Sequence, residues 1–340
     1  MVTIKQVAHA AGVSVTTASY SLNGEGRISE ETRKKVLDAA ERMGYVPSLS
    51  ARALKGQHAR TVGIFVDGIG GPVYGNIIEG AQEKFKSEGW GLIVGTLNSP
   101  VQELTRSLVR DSLLAGSVIL NGSLLPEETL LPLLKKAPMV VLDIHSDFLK
   151  KVPADSRLCR IGIDNSMGIK AIFQEVLRHK CNNILFLDGH SNSWDFYSRK
   201  KILFDLCKKQ GLFSPEILSC DYSAQAAYRQ VKDALSRNRN YDCVIAVNDE
   251  MAIGAMKALK ESGLRIPRDI IVTGFDNIEA SHWVDPPLTT IKVDYKKLGK
   301  LIGETILELI STSEPVCDNI TFPVEFTRRQ STGLIGEVNE

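Results

Sequence analysis

From Thr61 onward the chain repeats one pattern, a strand-length apolar run followed by a helix-length amphipathic stretch. The apolar runs are TVGIFV (61–66), GLIVGT (91–96), SVILN (117–121), MVVLDI (139–144), CRIGID (159–164), NILFLDG (183–189), CVIAVN (243–248) and IIVTGFD (270–276). Helical periodicity lies between many of them, at 75–88, 166–179, 199–210, 225–236 and 250–262. Strands that are apolar on both faces need cover on both faces. Alternating helices supply that cover by packing on each side of a parallel sheet. The series is too long for one ordinary sheet. It predicts an α/β body of two doubly wound parallel-sheet subdomains with a cleft between them, and ligands bind outside the carboxyl ends of such strands.

The first 60 residues have a different texture. Ile4, Val7, Ala8 and Ala11 fall at helical spacing, as do Val36, Ala39, Ala40 and Met43. Gly12 breaks the first helix and Ser14 is placed to cap the next. Ser29, followed by Glu30 and Glu31, starts a third, and Gly44 stops it. The predicted architecture of this head is all-α, and residues 3–23 have helix-turn-helix spacing. Val13 and Ala18 plug the space between two helices. Val15, Thr16, Thr17, Ser19 and Tyr20 are then left to face a groove, where side chains near a helix start read base edges. By pattern alone, a small helical hairpin with no DNA role has the same spacing. Residues 46–60, VPSLSARALKGQHAR, form a Pro-started connector with room for one short helix around Ala51, Ala53 and Leu54, too short to be stable alone. The expected domains are therefore a helix-turn-helix head at 1–46, a hinge and linker at 47–60, and a sensor and dimerisation body at 61–335.

Charge follows the same division. Residues 1–60 hold nine Lys/Arg against five Asp/Glu, a net of +4 in a chain whose total is +1, which leaves −3 for the rest. A cationic head suits a polyanion. The six cysteines, at 159, 181, 207, 220, 243 and 317, form no CxxC pair, and single cysteines in apolar segments are usually buried reduced thiols. The N-terminus lacks the apolar core of a signal peptide, and no apolar run approaches the ~18 residues of a membrane span. A reducing cytoplasm is the expected location.

No reactive constellation is evident. GIGGPVYG (68–75) has the wrong glycine spacing for a dinucleotide loop, and GHSNS (189–193) lacks the last glycine of a nucleophile elbow. The six histidines show no metal-type pairing. An enzyme, a cofactor and a metal are therefore not expected. A transport or chemoreception binding protein would suit the body but not the basic head.

Three segments of the head, TIKQVAHAAGVSVTTASYSLNG, RISEETRKKV and GYVPSLSARALKG, closely resemble the DNA-binding head of the lac repressor–galactose repressor (LacI/GalR) family. The resemblance continues through CRIGIDNSMG, CVIAVNDEMAIGAMKALKESGLRIPRDIIVTGFDN and DPPLTTI to about Arg328, and implies a body similar to periplasmic sugar-binding proteins. It implies that Val15, Thr16 and Tyr20 read bases. Ser14, Thr17, Ser19, Asn23, Ser29 and Thr32 match positions that hold phosphates or support the docked helix, and Arg27 sits in a loop that approaches DNA. Leu54 matches the hinge leucine that wedges between base steps in the minor groove. Tyr20 departs from the family, which commonly has Arg there, and this predicts a different base preference.

In the body, Asp276, Asn248, Tyr222 and Tyr74 match effector-contacting positions, and Asp67 and Asn121 sit at strand ends facing the expected cleft. Lys200 is aligned with the family's usual effector-contacting Arg, with neighbouring Arg199 a one-residue alternative. The implied function is a ligand-responsive repressor, of sugar-utilisation genes by family habit. It would act as a homodimer on a pseudo-palindromic double-stranded DNA operator, with a small-molecule effector that moves the two subdomains and so orders or melts the hinge. The chain shows no terminal leucine-heptad helix, which favours a dimer over a tetramer.

Overall fold

The computed structural model describes residues 2–23, 26–45, 60–66, 68, 71–96, 113–189, 193–237 and 240–333. The chain divides into two units, Met1–Ala59 and Arg60–Glu340. The hinge leucine Leu54, the rest of the connector at 46–59 and the strand-end residue Asp67 lie outside the described residues.

The head is three helices: α1 (Ile4–Ala10), α2 (Val15–Asn23) and α3 (Glu30–Arg42). Their apolar faces meet in a small core of Val7, Ala8, Ala18, Val36, Ala39 and Ala40, with Ile4, Val13, Leu22 and Met43 packed around it. Gly12 makes the α1–α2 turn at φ +67°, a left-handed conformation that costs glycine little. Ser14 caps α2 by accepting the Thr17 N–H at 3.0 Å, and Ser29 caps α3 by accepting the Thr32 N–H at 3.3 Å.

In the body, the first sheet contains β1 (Thr61–Val66), β2 (Gly91–Thr96), β3 (Gly116–Ile119), β4 (Met139–Leu142) and β5 (Arg157–Ile163), with α4 (Pro72–Ser87) and α5 (Glu127–Leu134) between strands. The chain then enters α6 (Asn165–Arg178) and builds the second sheet. That sheet comprises β6 (Ile184–Asp188), α7 (Trp194–Lys209), β7 (Glu216–Ser219), α8 (Ala224–Ser236), β8 (Cys243–Ala246), α9 (Asp249–Glu261) and β9 (Ile271–Thr273). After the one-turn α10 (Ala280–Trp283) come β10 (Thr290–Lys292), α11 (Tyr295–Ser311), β11 (Val316–Phe322) and β12 (Glu325–Thr327). The sheet orders are β11-β5-β4-β3-β1-β2 and β7-β6-β8-β9, and every pairing in both is parallel. β11 thus returns to the first sheet after the second is complete, so the two subdomains interleave along the chain. β10 and β12 pair antiparallel as a separate ribbon.

All eight expected strands form. Four more, β7, β10, β11 and β12, lacked the apolar signature. β7 and β11 are sheet edges whose residues are largely exposed or half-buried, so they read as polar. Helix α11 was also not among the expected helices, although Leu298, Ile302, Ile306 and Leu309 form its buried stripe.

α11 packs on α4 at very short range. A Cβ on Gly299 would stand 2.0 Å from the Ile77 carbonyl oxygen, and one on Gly80 would stand 2.0 Å from that of Lys296. All six cysteines are free thiols; five are buried, and Cys317 is exposed on the edge strand β11.

Candidate functional site

Two surfaces carry the chemistry, one on each unit. On the head, Val15 and Tyr20 are 39% and 43% exposed although both are large and partly apolar. Thr16 is exposed beside them, while Thr17 and Ser19 are half-buried. Thr16 and Tyr20, two residues to either side of the buried Ala18, lie on the opposite face of α2. The Tyr20 ring packs over the backbone of Gly26 (φ +72°), where even a Cβ would be 3.2 Å from a ring carbon. Tyr20 is thereby braced from behind while it remains accessible.

The Ser14 and Thr17 hydroxyls are hydrogen-bonded at 2.9 Å, and those of Ser29 and Thr32 at 2.8 Å. Each pair sits at a helix N-terminus, where N–H groups and the helix dipole favour an anion such as a phosphate. Arg27 is exposed in the loop between α2 and α3. Asn23 ends α2. Of the expected DNA contacts, Ser14, Val15, Thr16, Tyr20, Arg27 and Ser29 are exposed and Thr17, Ser19 and Thr32 are half-buried.

On the body, a cavity of about 330 Å³ opens between the carboxyl ends of the two sheets. Asn121 follows β3, Asp143 follows β4, Ile163 ends β5, Asn248 follows β8 and Asp276 follows β9, so five strand ends converge on it. Tyr74 from the first turn of α4 and Tyr295 and Leu298 from α11 close another side. Tyr222 supplies an aromatic face, with the Phe196 ring 4.7 Å away and tilted by 42°. Asp143, Tyr222 and Asp276 all have positive φ, at 49°, 59° and 109°. Such conformations cost of order 1–3 kcal/mol each in non-glycine residues and concentrate at ligand sites.

Arg199 is the hub, and the expected contact at Lys200 is corrected to it. Lys200 turns away from the cavity and donates to Asp188 Oδ2 at 2.5 Å. One residue on a helix is a rotation of about 100°, so only one of the two neighbours can face the cleft. Arg199 is 2% exposed. Its Nε donates to Asn165 Oδ1 at 2.8 Å and its Nη1 to the Val247 carbonyl at 2.6 Å. Nη1 also lies 3.9 Å from Asp276 Oδ1. The guanidinium carbon is 3.5 Å from the Phe275 ring centroid, a close cation–π contact.

Tyr295 donates to Asp276 Oδ1 at 2.7 Å. Burial pushes the Asp276 carboxyl up to about 6, with Arg199 and the Tyr295 hydroxyl pulling the other way. Asp143 accepts the Asp195 N–H at 2.6 Å and the Ser193 hydroxyl at 3.2 Å. Burial, and then the neighbouring Asp195, push the Asp143 carboxyl well above the usual carboxylate range.

Asn248 was expected both to donate and to accept toward a ligand. Its Oδ1 is already used, accepting the Met251 N–H at 2.9 Å as the cap of α9, which leaves Nδ2 to donate. Neighbouring Asp249 is fully buried and is not part of the lining. It accepts from the Thr290 hydroxyl at 2.5 Å and the Ile278 N–H at 2.9 Å, tying α9 to the loop after β9.

Asp143, Asp195, Phe196, Glu250, Tyr295 and Leu298 also line the cavity and were not among the expected residues. Asp143 ends the strand MVVLD just as Asp276 ends IIVTGFD, so the same strand-end rule would have found it. Nothing local in the sequence marks Tyr295 as a cavity residue.

Residues 3–48 match the model of bacterial regulatory proteins, lacI family, and residues 173–332 match a periplasmic binding protein-like domain. The HTH-type transcriptional repressor PurR of Aliivibrio fischeri is 31% identical over 92% of this chain and 93% of its own.

The chain belongs to the lacI family.

The HTH-type transcriptional regulator RegA of Clostridium saccharobutylicum is 25% identical over 97% of this chain and 98% of its own. A solved lac repressor dimer, bound to operator and the anti-inducer ONPF, superposes with a TM-score of 0.81 at 26% identity, covering 98% of this chain and 99% of that one. This lacI-family member is accordingly a DNA-binding, ligand-responsive transcriptional regulator rather than an enzyme. No described helix is long and apolar enough to cross a membrane.

Proposed function

We propose that this regulator represses sugar-utilisation genes, binding a pseudo-palindromic operator as a homodimer and releasing or gripping it when a polyhydroxylated effector occupies the cavity between the sheets. The observation that carries the effector reading is the lining itself. The carboxylates of Asp143 and Asp276 accept hydroxyl hydrogens, Asn248 Nδ2 donates, and the Tyr222–Phe196 face packs against an apolar ring face. Tyr74 and Asn121 complete the wall. A volume of about 330 Å³ suits a molecule of mono- to disaccharide size. The similarity to a lac repressor dimer bound to operator supports the dimer and the operator.

In this reading Val15, Thr16 and Tyr20 read bases, Ser14, Thr17, Ser19, Asn23, Arg27, Ser29 and Thr32 hold the backbone, and residues 47–60 with Leu54 form the hinge. A switch of this kind needs about 1–3 kcal/mol of effector preference for one state. A gel-shift titration with a selected operator, with and without sugars that raise the melting temperature, tests the whole reading. Absence of DNA binding in both states would overturn it.

Tyr20 sets the operator preference. A tyrosine offers one hydroxyl and a ring, whereas an arginine grips guanine O6 and N7 together, a discrimination of about 1–3 kcal/mol. In selection from a random duplex pool, Tyr20→Arg is expected to enrich guanine about tenfold or more at one position of each half-site. An unchanged preference would remove Tyr20 from base reading.

Asp276 makes effector binding pH-dependent. Its carboxyl is raised to about 6 in the folded chain from an ordinary 3.8. The stability tied to the protonated form is therefore fully present below about pH 4 and is lost as pH rises through 6. An effector whose hydroxyls donate to the carboxylate binds the ionised form, and so competes with the proton. The melting-temperature rise caused by a bound sugar is expected to be larger at pH 7 than at pH 5, and to lose this difference in Asp276→Asn.

A further inference from the structure

The charge of the cavity is lopsided. Among the described residues, four carboxyl groups, Asp143, Asp195, Glu250 and Asp276, line it against one guanidinium, that of Arg199. A second cation, Arg160, interacts with Asp143 and Asp195 and offsets part of their charge, while its hydrogen bonds go to neutral acceptors. Its Nε donates to the Ile144 carbonyl at 2.7 Å and its Nη1 to Asn319 at 2.9 Å. The carboxylates are close enough to act on one another: Asp195 raises Asp143, and Asp195 and Glu250 both raise Asp276.

Their internal hydrogen bonding is incomplete. Asp143 is more than nine-tenths buried, yet it uses only Oδ1, for the Asp195 N–H and the Ser193 hydroxyl. Asp195 uses only Oδ1, for the Asn165 amide at 2.8 Å. Among the described residues neither Oδ2 has a partner, and Glu250 makes no hydrogen bond or ion pair. A neutral polyol could take up some of these acceptors, but it would bring no positive charge to those carboxylates that are ionised in a half-enclosed space.

We propose that the effector carries a protonated amine beside its hydroxyl groups, an amino sugar or a compound of like chemistry, with the ammonium held by Asp143 and Asp195 and with Glu250 adding negative charge to the same cavity. An ammonium brings three donors and one positive charge, which answers both the open carboxylate oxygens and the charge surplus. The hydroxyl-bearing part then faces Asp276, Arg199 and Asn248. This assignment rests on the reading of the cavity as the effector site and narrows it.

Calorimetric titration of the full-length protein near neutral pH with three matched pairs tests it: D-glucosamine against D-glucose, D-galactosamine against D-galactose, and D-mannosamine against D-mannose. The best-binding amine is expected to exceed its neutral partner by about tenfold or more in affinity. That ratio is expected to fall by about fivefold in Glu250→Gln and in Asp195→Asn, as the charge leaves and the shape stays. Glu250→Gln removes no native contact, so its melting temperature verifies that the fold is intact. A neutral sugar that binds as tightly as its amine, or a ratio untouched by both substitutions, overturns the ammonium assignment while the sugar reading stands. Binding by none of the six overturns the sugar reading, and the ammonium assignment with it.

Discussion

Arg199→Ala is expected to abolish the effector response and to destabilise the fold by about 3–5 kcal/mol, the cost of breaking a buried charged network by removing one partner. Arg199 reaches Asn165, the Val247 carbonyl, the Phe275 ring and the Asp276 carboxylate, and so joins α6, the end of β8 and the loop after β9. Without it, Asn165 Oδ1 and the Val247 carbonyl lose donors, and Asp276 loses a cation that lowers its proton affinity. Asp276 would then be neutral over more of the physiological range and a poorer acceptor for effector hydroxyls. Arg199→Lys keeps a charge but not the planar fork, and is expected to recover part of the stability and little of the response. Lys200→Ala is the contrast. It strips Asp188 of its partner, at about 1.5–3 kcal/mol for a charged hydrogen bond, and leaves the response intact. Urea unfolding gives the stabilities and effector-titrated gel shifts give the response. Equal loss of response in Arg199→Ala and Lys200→Ala would refute the placement.

Gly299→Ala is expected to lower stability by about 1–3 kcal/mol or more and to weaken effector binding with it, because backbone rather than a flexible side chain occupies the space. The new methyl would stand 2.0 Å from the Ile77 carbonyl oxygen and 3.0 Å from the Ala81 nitrogen. Helices α4 and α11 would have to separate, and both line the cavity, α4 through Tyr74 and Ile77 and α11 through Tyr295 and Leu298. The control is Gly75→Ala, also in α4, where a Cβ meets nothing within 4 Å. There the gain in helix propensity, up to about 1 kcal/mol, is expected to raise the melting temperature. Calorimetric melting of the three proteins separates the outcomes, and a Gly299→Ala protein as stable as the parent would show that the helices are free to part.

Much of this was written in local pattern. The three head helices, their caps at Ser14 and Ser29 and the turn at Gly12 follow from short-range chemistry, and the eight apolar strands follow from burial on both faces. The edge strands β7 and β11 were not legible, because a strand such as β11, VCDNITF, exposes most of its length and carries no apolar signature. The cavity was half legible. Asp276, Asn248, Tyr222, Tyr74 and Asn121 are all in its wall. Lys200 was misplaced by one residue, since a sequence match fixes a helix but not which of two adjacent cations faces the cleft. Asp195, Glu250 and Tyr295 sit on three different helices.

The repeated βα unit and the exposed face of α2 follow from local residue order, because hydrophobic periodicity and capping act within a few residues. What that repeat builds depends on long-range pairing. It set two parallel sheets with their carboxyl ends facing each other, returned β11 to the first sheet after the second was built, and brought carboxylates from residues 143, 195, 250 and 276 around one cavity. Parallel strands pair residues far apart in the chain, so which charges come to share a low-dielectric space is a property of the topology and of no local segment.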